Sequence, residues 1–507
     1  MQRTMSRRTE LFCVLAVLIL GFCVRLISLE TLPAGLNADE ASALYDAWAI
    51  LNYGIDRCGN HVPVLLESWG SGQNALLSYV SMPFIALLGP RPLALRLPMA
   101  ISGCVSLVFM WLLARRARGE RFALWALLFL AVCPWHIMAV RWGLESNLLP
   151  AALIAGVYFA ALSEDRPWAL AASGVCFGLS LYAYGTAFFL LPALLVFCVW
   201  RLRKSLRAAP LIMGAVLFAV IALPIALCQL RNVLDLPEMS ILGFTLPELT
   251  GERQNATSVF GTGLAGAWDN IRSLVYILLV QSDGLPWNSA PWGGIYYAFG
   301  LPMAVIGLVR TAIAYKRSAA ESLMLAWAVI ALACACLISV NINRVNFLWL
   351  PLCYFIALGF DTLGGMLEKY AAVLVAGLLM CFGFFLHGYI DEFAGDGNVN
   401  YFPGLGEAIE YVDSLEPESA YVSDWASAGY IYALLYTETP PQEFIDTVVY
   451  TDPDSDFRSV SSFGYWRFGP DEEAGGEYII LHLSELNSRE PIAVFGGFAV
   501  CAGDNQD

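Results

Sequence analysis

Long apolar runs separated by short basic clusters leave this chain few ways to fold. Leu11 to Leu29 is apolar except for Arg25, and comparable runs recur as far as residue 390. At about 1.5 Å of rise per residue, such a run crosses a hydrocarbon core of about 30 Å. Composition points the same way: 58% of residues are hydrophobic and 14% are charged, against about 25% charged in a soluble domain. The expected fold is a polytopic α-helical membrane protein, not a large soluble enzyme.

The basic clusters then set the topology. They are Arg3/Arg7/Arg8, Arg115/Arg116/Arg118/Arg121, Arg166, Arg201/Arg203/Lys204/Arg207, Lys316/Arg317 and Lys369. The positive-inside rule puts all of them in the cytoplasm. One assignment satisfies them together, with about eleven helices near 11–29, 97–114, 121–139, 147–163, 167–185, 186–200, 208–229, 296–314, 321–341, 344–362 and 370–390. The N-terminus is then cytoplasmic. Gln73 to Leu88 cannot span without flipping that parity, so it is expected to lie on or dip into the outer surface, and Leu264 to Val280 is read likewise. Two long loops, roughly 30–96 and 230–295, face outward.

Charge marks a second boundary. Residues 1–390 carry 25 Lys+Arg against 20 Asp+Glu, a net of +5; residues 391–507 carry 3 against 23, a net of −20. A break of this kind separates domains. The acidic part is rich in aromatics, and its 420–423, 447–450 and 477–483 stretches have strand character while 406–415 and 426–436 have helix character. A small extracytoplasmic α/β domain over 391–507 is expected, following a transmembrane domain over 1–390. Most of the 13 cysteines sit in apolar segments as small hydrophobes. No His/Cys zinc pattern is present, and a nucleic-acid partner is not expected.

Four polar constellations fall on the outer side. Asp39-Glu40 opens the first loop: a carboxylate there can take a proton from a hydroxyl or amine, or hold a divalent cation. The alternative is a pair of helix N-terminal acids favoured by the dipole. The Pro134-Trp135-His136 to Asn147 stretch holds Arg141, Glu145 and Asn147 near membrane depth, where a charge costs roughly 2.5–3.5 kcal/mol and therefore marks a candidate site. An Arg141–Glu145 pair at helical spacing is the structural alternative. Asn341-Ile342-Asn343-Arg344-Val345-Asn346 places an arginine among amides at a helix start, which suits an anion such as phosphate or, more simply, a polar loop with a snorkelling arginine. Arg96 can hold a phosphate, neutralise Asp39 or anchor at the interface. Tyr182 and Tyr184 close the fifth helix as site-shaping groups or as part of an aromatic belt. Asn255-Ala256-Thr257 matches an N-glycosylation acceptor.

Taken in order, Asn37-Ala38-Asp39-Glu40-Ala41, Tyr79 to Pro83, Leu88-Gly89, Arg96-Leu97-Pro98, Pro134-Trp135-His136 to Asn147, Tyr182-Ala183-Tyr184, Asn343-Arg344-Val345-Asn346, Pro351 and Gly359 resemble the GT-C glycosyltransferases. The nearest resemblance is to bacterial members of glycosyltransferase family 39, which holds protein O-mannosyltransferases and lipid A aminoarabinose transferases. It covers residues 10–365 or so. It implies a polyprenyl-phosphate sugar donor, a membrane-lipid environment and inverting transfer to an extracytoplasmic acceptor. It makes Asp39 the general base and Glu40 the second acid of the mannosyltransferase pair, unless Glu40 only caps the surface helix. Glu145 matches a carboxylate that helps hold a metal in some relatives, so a divalent ion shared with Asp39 is the one cofactor implied. Arg344 is the first choice for the lipid phosphate, with Arg96 and Arg141 behind it; Tyr182, Tyr184, Asn343 and Asn346 would shape the acceptor side. The Lys-Pro-Pro stretch of the aminoarabinose transferases is replaced here by Leu66-Glu67-Ser68-Trp69-Gly70-Ser71-Gly72-Gln73, and the large late-loop insertion of eukaryotic mannosyltransferases is missing. A transporter of lipid-linked sugar and a membrane scaffold are the competing readings. Few acids inside the helices count against the transporter.

Overall fold

The structure is a computed structural model. It describes residues 6–503 except 69–70, 235, 238, 242, 250–258, 291, 395–399, 452–458 and 471–474; the Asn255 acceptor motif lies outside the described residues. The chain is a multi-helix membrane protein. Helix α1 (Arg7–Leu26) leads to α2 (Ala38–Tyr53), a hairpin of β1 (Leu65–Ser68) and β2 (Ser71–Asn74), and α3 (Leu76–Leu88). Then come α4 (Pro92–Arg118), α5 (Glu120–Ala131), α6 (Pro134–Ala139), a single 3-10 turn (Glu145–Leu148), α7 (Leu149–Leu162), α8 (Ala169–Ala183), α9 (Ala187–Leu202) and α10 (Ala208–Val233). After a short hairpin, β3 (Met239–Ile241) and β4 (Phe244–Leu246), follow α11 (Val259–Val280), α12 (Gly300–Ala312), α13 (Ala319–Ala335), α14 (Asn346–Met366) and α15 (Ala371–Phe393).

Six described helical stretches are long and apolar enough to cross a membrane: Arg7–Leu26, Pro92–Arg118, Glu145–Leu162, Ala208–Val233, Asn346–Met366 and Glu368–Phe393. Five further apolar helices are shorter, α3, α8, α9, α12 and α13. The expected single helix over 121–139 is instead two. Pro134 has no N–H to donate and disfavours helical backbone at Cys133, so α5 stops at Ala131 and α6 restarts with Pro134 in its first turn. The 13 residues of α3 rise about 20 Å, short of a core of about 30 Å.

One end of the bundle is laced with ion pairs. Arg115 meets Glu120, Arg116 meets Asp165 at 2.6 Å, Arg118 meets Glu321, Arg121 meets Asp361 at 2.7 Å, and Arg201 meets Glu164 at 3.4 Å. The Arg115 to Arg121 cluster is thereby tied to the connection that carries Arg166, to the first turn of α13 and to the last turns of α14. In the packed middle, α12 and α14 touch backbone to backbone. A Cβ on Gly307 would lie 2.0 Å from the Phe355 carbonyl, and one on Gly359 2.1 Å from the Met303 carbonyl. Small residues allow such approach where no hydrophobic effect drives helices together.

After α15 the chain forms α16 (Leu405–Asp413), β5 (Ala420–Ser423), α17 (Gly429–Tyr436), α18 (Pro441–Thr447) and six more strands: β6 (Val449–Tyr450), β7 (Val460–Phe463), β8 (Trp466–Gly469), β9 (Tyr478–His482), β10 (Pro491–Phe495) and β11 (Phe498–Ala502). The sheet runs β10-β11-β9-β5-β8-β7-β6. Its centre, β5, is parallel to both β8 and β9, and the flanking pairs are antiparallel. Helix α17 lies on α2, so this sheet is docked onto the first loop.

Candidate functional site

The start of α2 is fixed by its own sequence. Asn37 caps the helix by accepting from the Asp39 N–H at 3.0 Å, and Glu40 reaches back to the Asn37 N–H at 3.1 Å. This reciprocal arrangement satisfies two otherwise orphaned donors. Glu40 then goes further. Its carboxylate takes both arms of Arg96, Nε at 2.7 Å and Nη2 at 2.8 Å, and the Gly143 N–H at 2.7 Å. Both side chains are wholly buried. Four donors meet four acceptor positions, which fills a carboxylate.

Arg96 is equally committed. Its remaining donors go to the carbonyls of Leu29, Pro33 and Gly35 at 3.1, 2.8 and 2.7 Å. All five N–H groups of the guanidinium are spent. The expected phosphate role of Arg96 has no donor left to serve it, and the charge it neutralises is Glu40, not Asp39. The catalytic role expected of Glu40 meets the same obstacle.

Arg141 works on the same segment from the other side. It donates to the carbonyls of Val24, Ile27, Ser28 and Leu32 at 2.6, 2.9, 3.3 and 3.0 Å. Val24 and Ile27 end α1, where a cation suits both the orphaned carbonyls and the dipole. The chain from Val140 to Leu144 is not helical, so the geometry behind an Arg141–Glu145 pair at helical spacing does not arise. Between them Arg96 and Arg141 hold seven carbonyls of residues 24–35, the strap that delivers α2. The far end of that strap is tied to the C-terminal part. Gly35 has φ +78°, and a Cβ there would lie 2.0 Å from the Tyr401 carbonyl. The Asn37 side chain donates to the Asn400 carbonyl at 3.1 Å, and Tyr432 donates to the Leu36 carbonyl at 3.0 Å.

Asp39, next to Glu40, stays half-buried. Its helical face continues through Ser42 and Asp46, at spacings of three and four. Ser42 meets Ser68 at 3.3 Å and donates to Gln73 at 3.3 Å, so the β1–β2 hairpin walls this face. The spacing was readable in the sequence; the hairpin that gives it meaning was not. Farther along, the buried Asp46 pairs with Arg57 at 3.7 Å. Asp56 accepts from the Cys58 and Asn60 N–H groups at 2.9 and 2.8 Å, and burial with Asp46 nearby pushes it up to about 7.

The second and third constellations meet directly. The Asn346 amide donates to Asn147 Oδ1 at 2.6 Å and Ser146 Oγ at 3.2 Å, and its oxygen accepts from Trp135 Nε1 at 3.1 Å. Asn346 is fully buried, so its role is to lock α6, the 3-10 turn and α14 together. Glu145 opens that turn and is half-buried. Arg344 lies just ahead of α14, half-buried. Its N–H bonds to the Asn341 side chain at 2.7 Å and its guanidinium to Ser339. Among the described residues, the rest of that guanidinium makes no hydrogen bond or ion pair. Asp283, unforeseen from sequence, pins the same turn by accepting from the Ile342 N–H at 2.8 Å. Asn343 accepts from the Asn346 N–H at 3.2 Å. Tyr182 donates to the Ile221 carbonyl at 2.8 Å and ties α8 to α10; Tyr184 ends α8 half-buried. Among the described residues no three His, Cys, Asp or Glu side chains converge as a metal set, so the Asp39–Glu145 reading gains no third protein ligand. A cavity of about 930 Å³ opens between residues 30–35, 88–92 and the C-terminal part; neither Asp39 nor Arg344 lines it.

Residues 75–227 match the family model described as dolichyl-phosphate-mannose-protein mannosyltransferase. The whole chain has the fold of ArnT from Cupriavidus metallidurans. It is 16% identical to the form bound to undecaprenyl phosphate over 98% of both chains, with a TM-score of 0.58. Against the apo form the identity is 15%, again over 98% of both, with a TM-score of 0.57. The oligosaccharyltransferase of Archaeoglobus fulgidus matches at 14% identity over 85% of this chain and 64% of that one, with a TM-score of 0.52. No curated protein sequence matches. The chain thus shares the fold of these two proteins.

Proposed function

We propose that this chain is an inverting glycosyltransferase that moves a sugar from a polyprenyl phosphate to an acceptor on the extracytoplasmic face. The observation that carries this reading is the contrast at the head of α2. Glu40 is filled by four donors and locked to Arg96, while the adjacent Asp39 is held in place yet half-buried. The GT-C fold and the mannosyltransferase model match support it.

In the proposed reaction Asp39 takes the proton of an acceptor hydroxyl or amine. The acceptor atom attacks the anomeric carbon from the side opposite the phosphate. The bond from that carbon to the phosphate oxygen breaks, and polyprenyl phosphate leaves with its electron pair. Arg344 is placed at the leaving phosphate, since a planar guanidinium pairs well with phosphate oxygens. Glu40, Arg96 and Arg141 are positioning residues that fix the strap and the base. Glu145 belongs to the wall of the site, with Tyr184 and Asn343 toward the acceptor, and no step is routed through a metal. Residues 1–390 would form the membrane domain, with eleven spans and a cytoplasmic N-terminus, and 391–507 an extracytoplasmic domain. The test is Asp39→Asn in the full chain reconstituted in vesicles with polyprenyl-phosphate mannose, glucose or aminoarabinose as donor. Loss of transfer with an unchanged melting curve is expected; normal transfer would overturn the mechanism.

A further inference from the structure

At the carboxyl ends of the parallel strands β5 and β9, an exposed tryptophan is held flat. Trp425 follows β5 by two residues, and its ring stacks on His482 at 4.2 Å with planes 7° apart. His482 ends β9, and its ring in turn meets the buried Phe498 edge-on at 5.5 Å. An aromatic column thus runs from the core to the surface. Its last member, Trp425, remains 40% exposed although the imidazole covers one face.

The rim of this column is polar and rigid. Ser423 donates to Glu485 at 2.7 Å, the His482 N–H donates to the same carboxylate oxygen at 2.9 Å, and Ser423 Oγ accepts from the Trp425 N–H at 3.3 Å. The Ser484 N–H donates to His482 Nδ1 at 3.2 Å, which puts the ring proton on Nε2 as a donor. Partial burial holds His482 below the usual imidazole range, so the ring is neutral near pH 7. In open α/β sheets, the crevice beyond the carboxyl ends of parallel strands is where ligands bind. Here β5 has a parallel neighbour on each side, β8 and β9, and Trp425 and His482 stand where β5 and β9 end.

We propose that this face binds a neutral sugar ring. A pyranose presents a flat face of C–H groups to an indole, while its hydroxyls reach a rim of carboxylate, hydroxyl and imidazole N–H. Charge selects for neutrality: residues 391–507 carry 23 acids, three arginines and no lysine, which repels an anionic glycan. A single ring with a polar rim is also too small an apolar patch for a stable protein interface. The segment leading from Trp425 enters α17, which packs on α2 and bonds through Tyr432 to the Leu36 carbonyl just ahead of it, so the proposed face is linked through one helix to the element that carries Asp39.

Binding is measured by saturation-transfer NMR on the full chain in nanodiscs, without any lipid-linked donor, so the result is independent of the transfer reaction. The probes are neutral mannose and glucose hexasaccharides, with a sulfated hexasaccharide as the anionic counterpart. Wild-type chain should bind a neutral probe over the sulfated one, and Trp425→Ala should weaken binding about tenfold or more, the scale of one lost aromatic contact. Trp425→Phe should restore part of it, with melting curves unchanged throughout. The proposal is overturned if wild type binds neither neutral probe, if it prefers the sulfated one, or if Trp425→Ala binds as wild type does.

Discussion

The strap before α2 and the turn before α14 are built from the same residue types and put them to opposite use. Around the strap, Glu40, Arg96 and Arg141 are buried, and all but one of their hydrogen-bonding groups, Arg141 Nε, are matched. Around the turn, Arg344 is half-buried and bonded at one arm. The difference separates residues that hold a shape from residues that keep capacity for a ligand. Arg96, with all five N–H groups bonded, is a bracket; Arg344, bonded at one arm, keeps donors for the phosphate proposed above.

The sharpest way to break that contrast is at Asp39. Asp39→Asn should lower transfer by about two to four orders of magnitude, the range of a lost general base, with no change in folding. Arg96→Met should do the reverse. It leaves the buried Glu40 charge unpaired at a cost of about 3–5 kcal/mol, read as lost expression or a much lower melting temperature; the double variant Glu40→Met/Arg96→Met should recover only the part due to the unpaired charge, because the carbonyls of Leu29, Pro33 and Gly35 and the N–H groups of Asn37 and Gly143 stay unmatched. Arg344→Ala should raise the donor KM by roughly ten- to a hundredfold, the scale of a charged hydrogen bond of about 1.5–3 kcal/mol, while the melting temperature holds. Asn346→Leu should remove about 1–3 kcal/mol by stranding Trp135 and Asn147, visible in the melting curve.

The smallest effect concerns pH. Folding raises Asp56 from the ordinary carboxylate range to about 7. The folded state then binds more protons than the unfolded one between about pH 4 and 7, so stability falls as pH rises through that window. Asp56→Asn should flatten this slope in melting curves taken from pH 4.5 to 8.

The sequence by itself determined most of the helices. Length and hydropathy need no partner to be read, and so they located the counterparts of ten of the eleven expected segments as single helices. Pro134, equally legible in the sequence, splits the remaining one. The resemblance likewise carried the fold, because ordered motifs survive low identity. Tertiary structure decided what each charge does. Asp39 and Glu40 are neighbours in sequence with the same headgroup, yet successive helical positions point about 100° apart. Only the packing of α4 and Gly143 against one of them makes it a bracket and leaves the other half-buried.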